Sequence, residues 1–254
     1  MIRCAALLLA IPLTAQAPVG DWVFGVYVGT PTMKGKLKDR INPLIDFDLK
    51  NNFSPKGSNT GLGVQIDYSG TRFGFSLDYA VNDYEGQSRI NGLVAISGLG
   101  YMMDVDVDGS IKNSAFDFVG TYKVWQGSRA WLGANLGIQA WYLDITAEGR
   151  SVYHPEAVKT NKSYVVPIPQ IGISAGYEAL QSSLILSGKA HFMVYKGASY
   201  TRFSSEVRYY PLPWLGIRAF AELQNLDSPE GSINSDLELK LDRNTFGIGV
   251  VARW

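Results

Sequence analysis

The chain ends with TFGIGVVARW, residues Thr245 to Trp254, in which every second residue is apolar. Strict alternation of this kind is the pattern of a β-strand with one apolar face. It continues to the last residue, whereas the ends of soluble domains usually fray in water. We therefore predict that the carboxyl terminus is held inside a sheet, with Trp254 at an interface between apolar and aqueous surroundings.

The same alternation recurs along the chain before this segment. Its apolar sets include Trp22/Phe24/Val26/Val28, Leu62/Val64/Ile66/Tyr68, Phe73/Phe75/Leu77/Tyr79, Leu132/Ala134/Leu136/Ile138 and Leu215/Ile217/Ala219/Leu223. After the N-terminal region, no segment approaches the roughly 18 consecutive apolar residues of a transmembrane helix. Repeated alternation without such a segment predicts an all-β protein.

The connections between these runs alternate in length. Short connections lie at residues 69–71, 126–129, 181–183 and 211–213, and long polar ones near 31–58, 85–112, 149–162 and 227–236, with a shorter one near 196–200. Short turns on one side and long loops on the other are typical of a closed up-and-down antiparallel transmembrane β-barrel. The count predicts ten strands, with eight as the alternative, and both termini on the side of the short turns.

Composition excludes several classes of function. The 254 residues include 23 Lys and Arg and 23 Asp and Glu, so the net charge is zero and gives no electrostatic basis for nucleic-acid binding. The one cysteine, Cys4, allows no intrachain disulfide. The length suits a single barrel domain.

The N-terminal sequence MIRCAALLLAIPLTAQAPVG has a short basic region, an apolar run and an A-x-A site. These are the three parts of a secretory signal peptide, and the apolar run is shorter than the roughly 20 residues of a spanning helix. We predict a signal peptide over residues 1–17, cleaved after Ala15 or Ala17, and a barrel domain over 18–254.

The two faces of the alternating runs differ in chemistry. One face is large and apolar; the other carries Gly, Ser, Gln and a set of charges, which we assign to a barrel lumen with lipid outside. These predicted lumen charges are Asp67, Asp78, Asp117, Lys189, Arg202, Glu206, Arg208, Arg218 and Glu222. The interior of so small a barrel is narrow, and unpaired buried charges are costly, which predicts a salt-bridged plug. A narrow polar pathway for small solutes is the alternative, and a soluble periplasmic barrel is the other fold that fits alternation.

The signal peptide, the rhythm of strands and turns and the terminal aromatic segment together resemble the small bacterial outer-membrane β-barrels of the OmpA/OmpX/OmpW-like group. The resemblance implies an integral protein of a Gram-negative outer membrane, in contact with its lipid and lipopolysaccharide. It also implies that Phe246, Ile248, Val250 and Trp254 form the signal read by the outer-membrane assembly machinery. Most members end on Phe, so Trp254 is a departure.

Members of this group include structural proteins, adhesins, narrow channels and a few enzymes, so the resemblance does not fix a function. We predict a non-enzymatic barrel with surface-exposed loops and a structural or interaction role in the envelope. A narrow porin-like channel and a lipid- or peptide-acting enzyme at the outer rim are the alternatives.

Two surface motifs suggest ligands. In DVDVDGSIKNSA, the residues Asp104, Asp106 and Asp108 occupy the first oxygen-ligand positions of a calcium loop, but Ala115 stands where a bidentate Glu belongs. The motif fits two interpretations, a Ca²⁺ site and a solvated acidic rim. In MKGKLKDR, a basic row could contact lipopolysaccharide phosphates or be a solvated loop. This row consists of Lys34, Lys36, Lys38 and Arg40.

Neither histidine has the neighbours of a known outer-membrane enzyme. Lys189 stands two residues before His191, where an omptin-like protease has Asp, and Met193 stands two residues after it, where a PagL-like deacylase has Ser. Asp104 or Asp106 with His191 is the only conceivable catalytic pairing, and His154 precedes a proline. We predict no catalytic residue and no cofactor.

Overall fold

The computed structural model describes residues 20–39, 46–48, 60–96, 99–151, 158–180, 183–229, 231–232 and 237–254, with the backbone alone over 20, 46–48, 86–96, 99–107, 149–151 and 158. The predicted signal peptide, Arg40 and His154 lie outside the described residues.

The described chain forms eleven antiparallel strands. They are β1 (Gly20–Asp39), β2 (Asp46–Asp48), β3 (Gly61–Gly70), β4 (Phe73–Ile96), β5 (Leu99–Gln126), β6 (Ala130–Ser151), β7 (Val158–Ala179), β8 (Leu184–Tyr195), β9 (Ala198–Leu212), β10 (Leu215–Ser228) and β11 (Leu237–Arg253). Each strand from β3 onward pairs with the next, and β1 pairs with both β3 and β11. Ten strands thereby close into a barrel, and the short β2 adds to the outer part of β1. The ten-stranded up-and-down barrel predicted from the sequence is confirmed, and the eight-stranded alternative is wrong.

Strand β11 closes the barrel up to the last residue. Its register against β1 runs from Val23 opposite Arg253 to Asp39 opposite Leu237. The backbone N–H of Trp22 donates to the carbonyl of Trp254 at 2.8 Å, and the N–H of Trp254 donates back at 2.9 Å. The terminus is therefore part of the sheet, as the alternation predicted.

The short turns, the start of β1 and the carboxyl terminus lie at one end of the barrel, as predicted. The turns lie between β3 and β4, β5 and β6, β7 and β8, and β9 and β10. At the opposite end, β8 and β9 are joined by Lys196 and Gly197, whose φ angles are 47° and 85°. Two positive φ values in a two-residue hairpin are the geometry of a type I′ turn, which explains the glycine.

Strands β4 to β7 are far longer than a membrane crossing requires. They contain 24, 28, 22 and 22 residues, whereas a spanning strand needs about 9–11. This corrects our prediction of long loops near 31–58, 85–112 and 149–162, because residues 31–39, 85–96, 99–112, 149–151 and 158–162 are strand. The prediction failed because these strands continue beyond the lipid-facing zone, where polar outward side chains looked like loop composition.

The outer part of β7 has a partner on one side only among the described strands. It pairs with β6 from residue 158 onward, but with β8 only from Ile171. This edge contains Pro167 and Pro169, which lack the N–H that a neighbouring strand would need. Proline is tolerated on edge strands and discourages pairing with other chains.

The polarity of the barrel reverses along its length, as β6 shows. Leu136 and Ile138 point outward and are exposed, while Gln139 points inward and is buried. A few residues further out, Asp144 is exposed and Trp141, which is 1% exposed, lies inside. The first zone is a lipid-facing belt around a polar lumen; the second is built like a soluble barrel, with an apolar interior and a polar exterior.

The outer interior is filled by what we term the outer apolar core. It consists of Leu37, Tyr84, Ile111, Ala115, Trp141, Leu143, Ile145, Ala147, Tyr164, Val166, Ile168, Met193, Ala198, Tyr200, Leu226, Leu237, Leu239 and Leu241. A smaller base cluster of Val23, Tyr210 and Val251 lies at the end with the termini. The polar lumen lies between these two apolar clusters.

An aromatic group covers the outer surface near the termini. The ring of Trp22 lies 5.0 Å from that of Tyr68 and 5.4 Å from that of Phe75, and Phe24 lies 5.4 Å from Trp254. Aromatic side chains at this position form the interfacial girdle of membrane barrels. Among the described residues, no helix is long and apolar enough to cross a bilayer.

Candidate functional site: the polar lumen

The nine predicted lumen charges lie on the inner face of six different strands, β3, β4, β5, β8, β9 and β10. Inward placement follows from the two-residue period, since each alternates with a lipid-facing apolar neighbour. Seven of the nine are joined by ion pairs, in two groups.

Arg202 of β9 is the centre of the first group. Its Nη1 lies 2.5 Å from Oδ2 of Asp117, and its guanidinium also pairs with Glu222. Each carboxylate accepts a further amide hydrogen bond, from Gln170 at 2.5 Å and from Gln224 at 2.6 Å respectively. Asp117 belongs to β5, which does not pair with β9, so this contact crosses the lumen.

Arg208 of β9 organises the second group. It pairs with Asp67 of β3 and with Glu206, whose other oxygen lies 2.5 Å from Nε of Arg218. Asp67 also accepts a hydrogen bond from Gln65 at 2.7 Å. These side chains are 9–14% exposed, so their attraction is little screened by water.

Asp78 and Lys189 stand outside these groups. The hydroxyl of Tyr27 donates to Asp78 at 2.5 Å, and the Arg218 guanidinium lies 4.9 Å from the Tyr27 ring centre. Our sequence prediction missed Tyr27; its inward position in the alternation of β1 was the available signal. Lys189 has no ion pair within the described part of the chain.

His191 is 2% exposed and lies inside the lumen. Its Nε2 is 3.1 Å from Nδ2 of Asn135, whose Oδ1 accepts a hydrogen bond from Ser174 at 2.9 Å. His191 is in register with Arg202, which contacts Asp117.

The backbone of β5 places the conceivable aspartate partners of His191 far from it along the barrel. Asp106 lies eleven residues beyond Asp117 on β5 (117 − 106 = 11), which is roughly 36 Å along a strand. His191 is in register with Arg202, which contacts Asp117, so it lies far from the segment of β5 that contains Asp104 and Asp106.

A polar cavity of about 70 Å³ lies within the lumen. Its walls include Asp78, Asn82, Lys189, Arg202 and Arg243. A space of this size holds a few water molecules or one small ion.

The acidic motif from Asp104 to Asp108 lies within β5. The backbone there is extended, with Asp106 opposite Arg89 of β4 and Arg150 of β6, and Asp108 is exposed. The side chains of Asp104 and Asp106 are outside the description, so the Ca²⁺ site stays a prediction. Among described side chains, no three His, Cys, Asp or Glu residues could hold a metal ion.

The predicted basic row lies on the outside of β1, beyond the lipid-facing belt. Lys34, Lys36 and Lys38 are all exposed. The register places them opposite Asp242, Lys240 and Glu238 of β11, and Asp48 of β2 lies opposite Lys36, so each of the three lysines has an acidic residue in register. Contact with lipopolysaccharide stays a prediction.

The predicted assembly signal lies on the lipid-facing surface. Its members Phe246, Ile248, Val250 and Trp254 are between 49% and 66% exposed. No contact in the structure tests recognition of these residues by the assembly machinery.

Comparison with known proteins finds likeness in structure alone. No family model and no curated protein matches the sequence. The outer membrane protease OmpT from Escherichia coli superimposes with a TM-score of 0.65 at 10% identity, over 92% of this chain and 97% of that one. This chain has the fold of the bacterial outer-membrane β-barrels. At this identity, the likeness concerns the fold and not the activity.

Other outer-membrane barrels are more distant in structure. Ail of Yersinia pestis matches over 92% of this chain and 99% of its own, with 12% identity and a TM-score of 0.37. Neisserial surface protein A matches over 91% and 96%, with 10% identity and a TM-score of 0.31. The closed barrel and its exposed apolar belt make this chain an integral outer-membrane barrel, as predicted.

Proposed function

We propose that this outer-membrane barrel is a sealed, non-enzymatic envelope protein that presents its long outer hairpins at the cell surface. The observation that carries the proposal is the outer apolar core, which fills the barrel beyond the polar lumen. Trp141, Tyr200 and Leu239 are at most 2% exposed within it. Ions and polar solutes need a continuous hydrated path, and a packed apolar interior gives none.

The charge groups beneath the core support the same proposal. Arg202 and Arg208 each bind carboxylates across the lumen, which fixes the strands relative to one another. A permeating solute would have to displace these contacts and leave buried charges without partners, which is costly.

Conductance in planar bilayers tests the sealed state. We expect the refolded wild-type protein to be silent under conditions in which a general porin, added as a control, gives stable steps. Steady small pores from the wild-type protein would contradict the proposal and favour a narrow channel.

The position of His191 supports a non-enzymatic role. It lies in the lumen, away from any substrate at the outer rim, and Asn135 binds its Nε2. Incubation with lipid A and with mixed peptides should leave both intact. Cleavage of either by the wild-type protein would support the enzyme alternative.

We further propose that Lys34, Lys36 and Lys38, with Arg40, contact lipopolysaccharide phosphates beyond the lipid-facing belt. All three lysines point outward there. The variant with Lys34, Lys36 and Lys38 replaced by Gln should retain several-fold less lipopolysaccharide after purification, measured as bound phosphate. Lys112→Gln, an exposed position on β5, is the control. Equal retention in all three proteins would contradict this contact.

A further inference from the structure

Arg243 is a buried cation without an ion pair in the described part of the lumen, where the half-buried Lys189 also has none. Arg243, on the inner face of β11, is 4% exposed, and its Nε and Nη1 have no hydrogen-bond partner. It forms no ion pair with any described residue. A guanidinium removed from water without compensation is strongly unfavourable, so its surroundings should supply an anionic or polar partner.

Two neutral hydrogen-bond donors are also buried without a partner, and they line the same cavity. Thr245 lies two residues along β11, and Asn82 lies on β4. Both are at most 5% exposed, and the Thr245 hydroxyl and the Asn82 Nδ2 have no partner.

Glycines keep the space beside the Asn82 and Thr245 side chains open. Strands β3 and β1 lie between β4 and β11, and they contribute Gly61 and Gly29 to the cavity wall. A Cβ on Gly61 would lie 1.9 Å from Oδ1 of Asn82, and one on Gly29 would lie 3.1 Å from Cγ2 of Thr245. Side chains at these two positions would fill the space beside the donors.

The carboxylates around the cavity are already occupied. Asp117 and Glu222 bind Arg202, Glu206 binds Arg208 and Arg218, and Asp78 accepts from Tyr27. Arg243, Thr245 and Asn82 therefore present donors to the cavity that are not paired with any carboxylate on its wall.

We propose that this end of the cavity binds one small inorganic anion of halide size, with Arg243 as its charge partner and Thr245 and Asn82 as neutral donors. The cavity volume of about 70 Å³ accommodates such an ion. This step rests on the sealed barrel proposed above: with the outer apolar core and the base cluster at the two ends of the lumen, the ion enters during folding and exchanges slowly afterwards.

The test is to refold the full protein in sodium bromide or in sodium gluconate at equal ionic strength. Crystals grown from bromide should show an anomalous bromine peak beside Arg243. The heat-unfolding midpoint should rise with bromide concentration. A bromide concentration ten times the dissociation constant multiplies the folding equilibrium constant about elevenfold. Gluconate is too large to enter and should give no such rise.

Arg243→Gln should lose both the peak and the bromide dependence. Arg253→Gln, which alters a rim arginine paired with Asp21, should keep both. If Arg243→Gln does not fold, Thr245→Val should fold and require more bromide for the same shift. A cavity without bromine, a midpoint equal in the two salts, or a peak that persists in Arg243→Gln would overturn the proposal, leaving water as the occupant.

Discussion

At the scale of single residues, the charges inside the barrel could be predicted from the period-two pattern, but their partners could not. Alternation assigns Asp67, Asp117 and Arg202 to the inner face because each has lipid-facing neighbours. Which carboxylate meets which guanidinium depends on how the closed barrel brings non-adjacent strands together. For the same reason, Tyr27 was missed as a partner of Asp78: the two lie on β1 and β4, which are separated in the sheet by β3.

Arg202 should be the residue whose loss is most damaging to the lumen. Arg202→Met leaves Asp117 and Glu222 buried without their cation, which should lower the free energy of unfolding by about 3–5 kcal/mol. Urea unfolding in detergent, followed by tryptophan fluorescence, measures the change. Arg253→Gln at the rim is the matched control and should cost about 0–1 kcal/mol. Restoring stability by adding Asp117→Asn and Glu222→Gln would support the mechanism, whereas an unchanged midpoint in Arg202→Met would contradict it.

At the scale of strands, the sequence predicted the membrane-spanning parts well and their outer extensions poorly. The lipid-facing zone requires outward apolar residues, so strands such as β10 and β11 stand out as alternation. Beyond it, β4 to β7 need only an inward apolar face, and their outward residues are as polar as those of loops. On β6 the large apolar side chains change from the outward face at Leu136 to the inward face at Trp141. This change is visible in the sequence, but a search for one continuous lipid-facing stripe overlooks it.

The last residue of β11 should matter for assembly. Deleting Trp254 removes two backbone hydrogen bonds to Trp22 and the ring contact with Phe24, so the closing seam loses its final pair. We expect a marked fall in the folded, heat-modifiable form in outer-membrane fractions. Trp254→Phe keeps an aromatic end and should assemble nearly normally, and Lys112→Ala, at an exposed position on β5, should have no effect. Normal folded levels of the truncated protein would refute the expectation.

At the scale of the whole molecule, one sheet is exposed to lipid over part of its length and to water over the rest. Its lipid-facing half keeps charges inside, and its outer half keeps apolar side chains inside, so the seal proposed above lies beyond the belt.

If the outer apolar core is that seal, removing bulk from it should open the lumen without disturbing the belt. Trp141→Ala combined with Leu239→Ala should destabilise the protein, since large-to-small core changes cost about 2–5 kcal/mol each. The folded fraction should show small, flickering conductance where the wild type is silent. Leu136→Ala, a lipid-facing change on the same strand as Trp141, should remain silent. A folded double variant that stays silent would mean that the ion pairs of Arg202 and Arg208 close the lumen unaided.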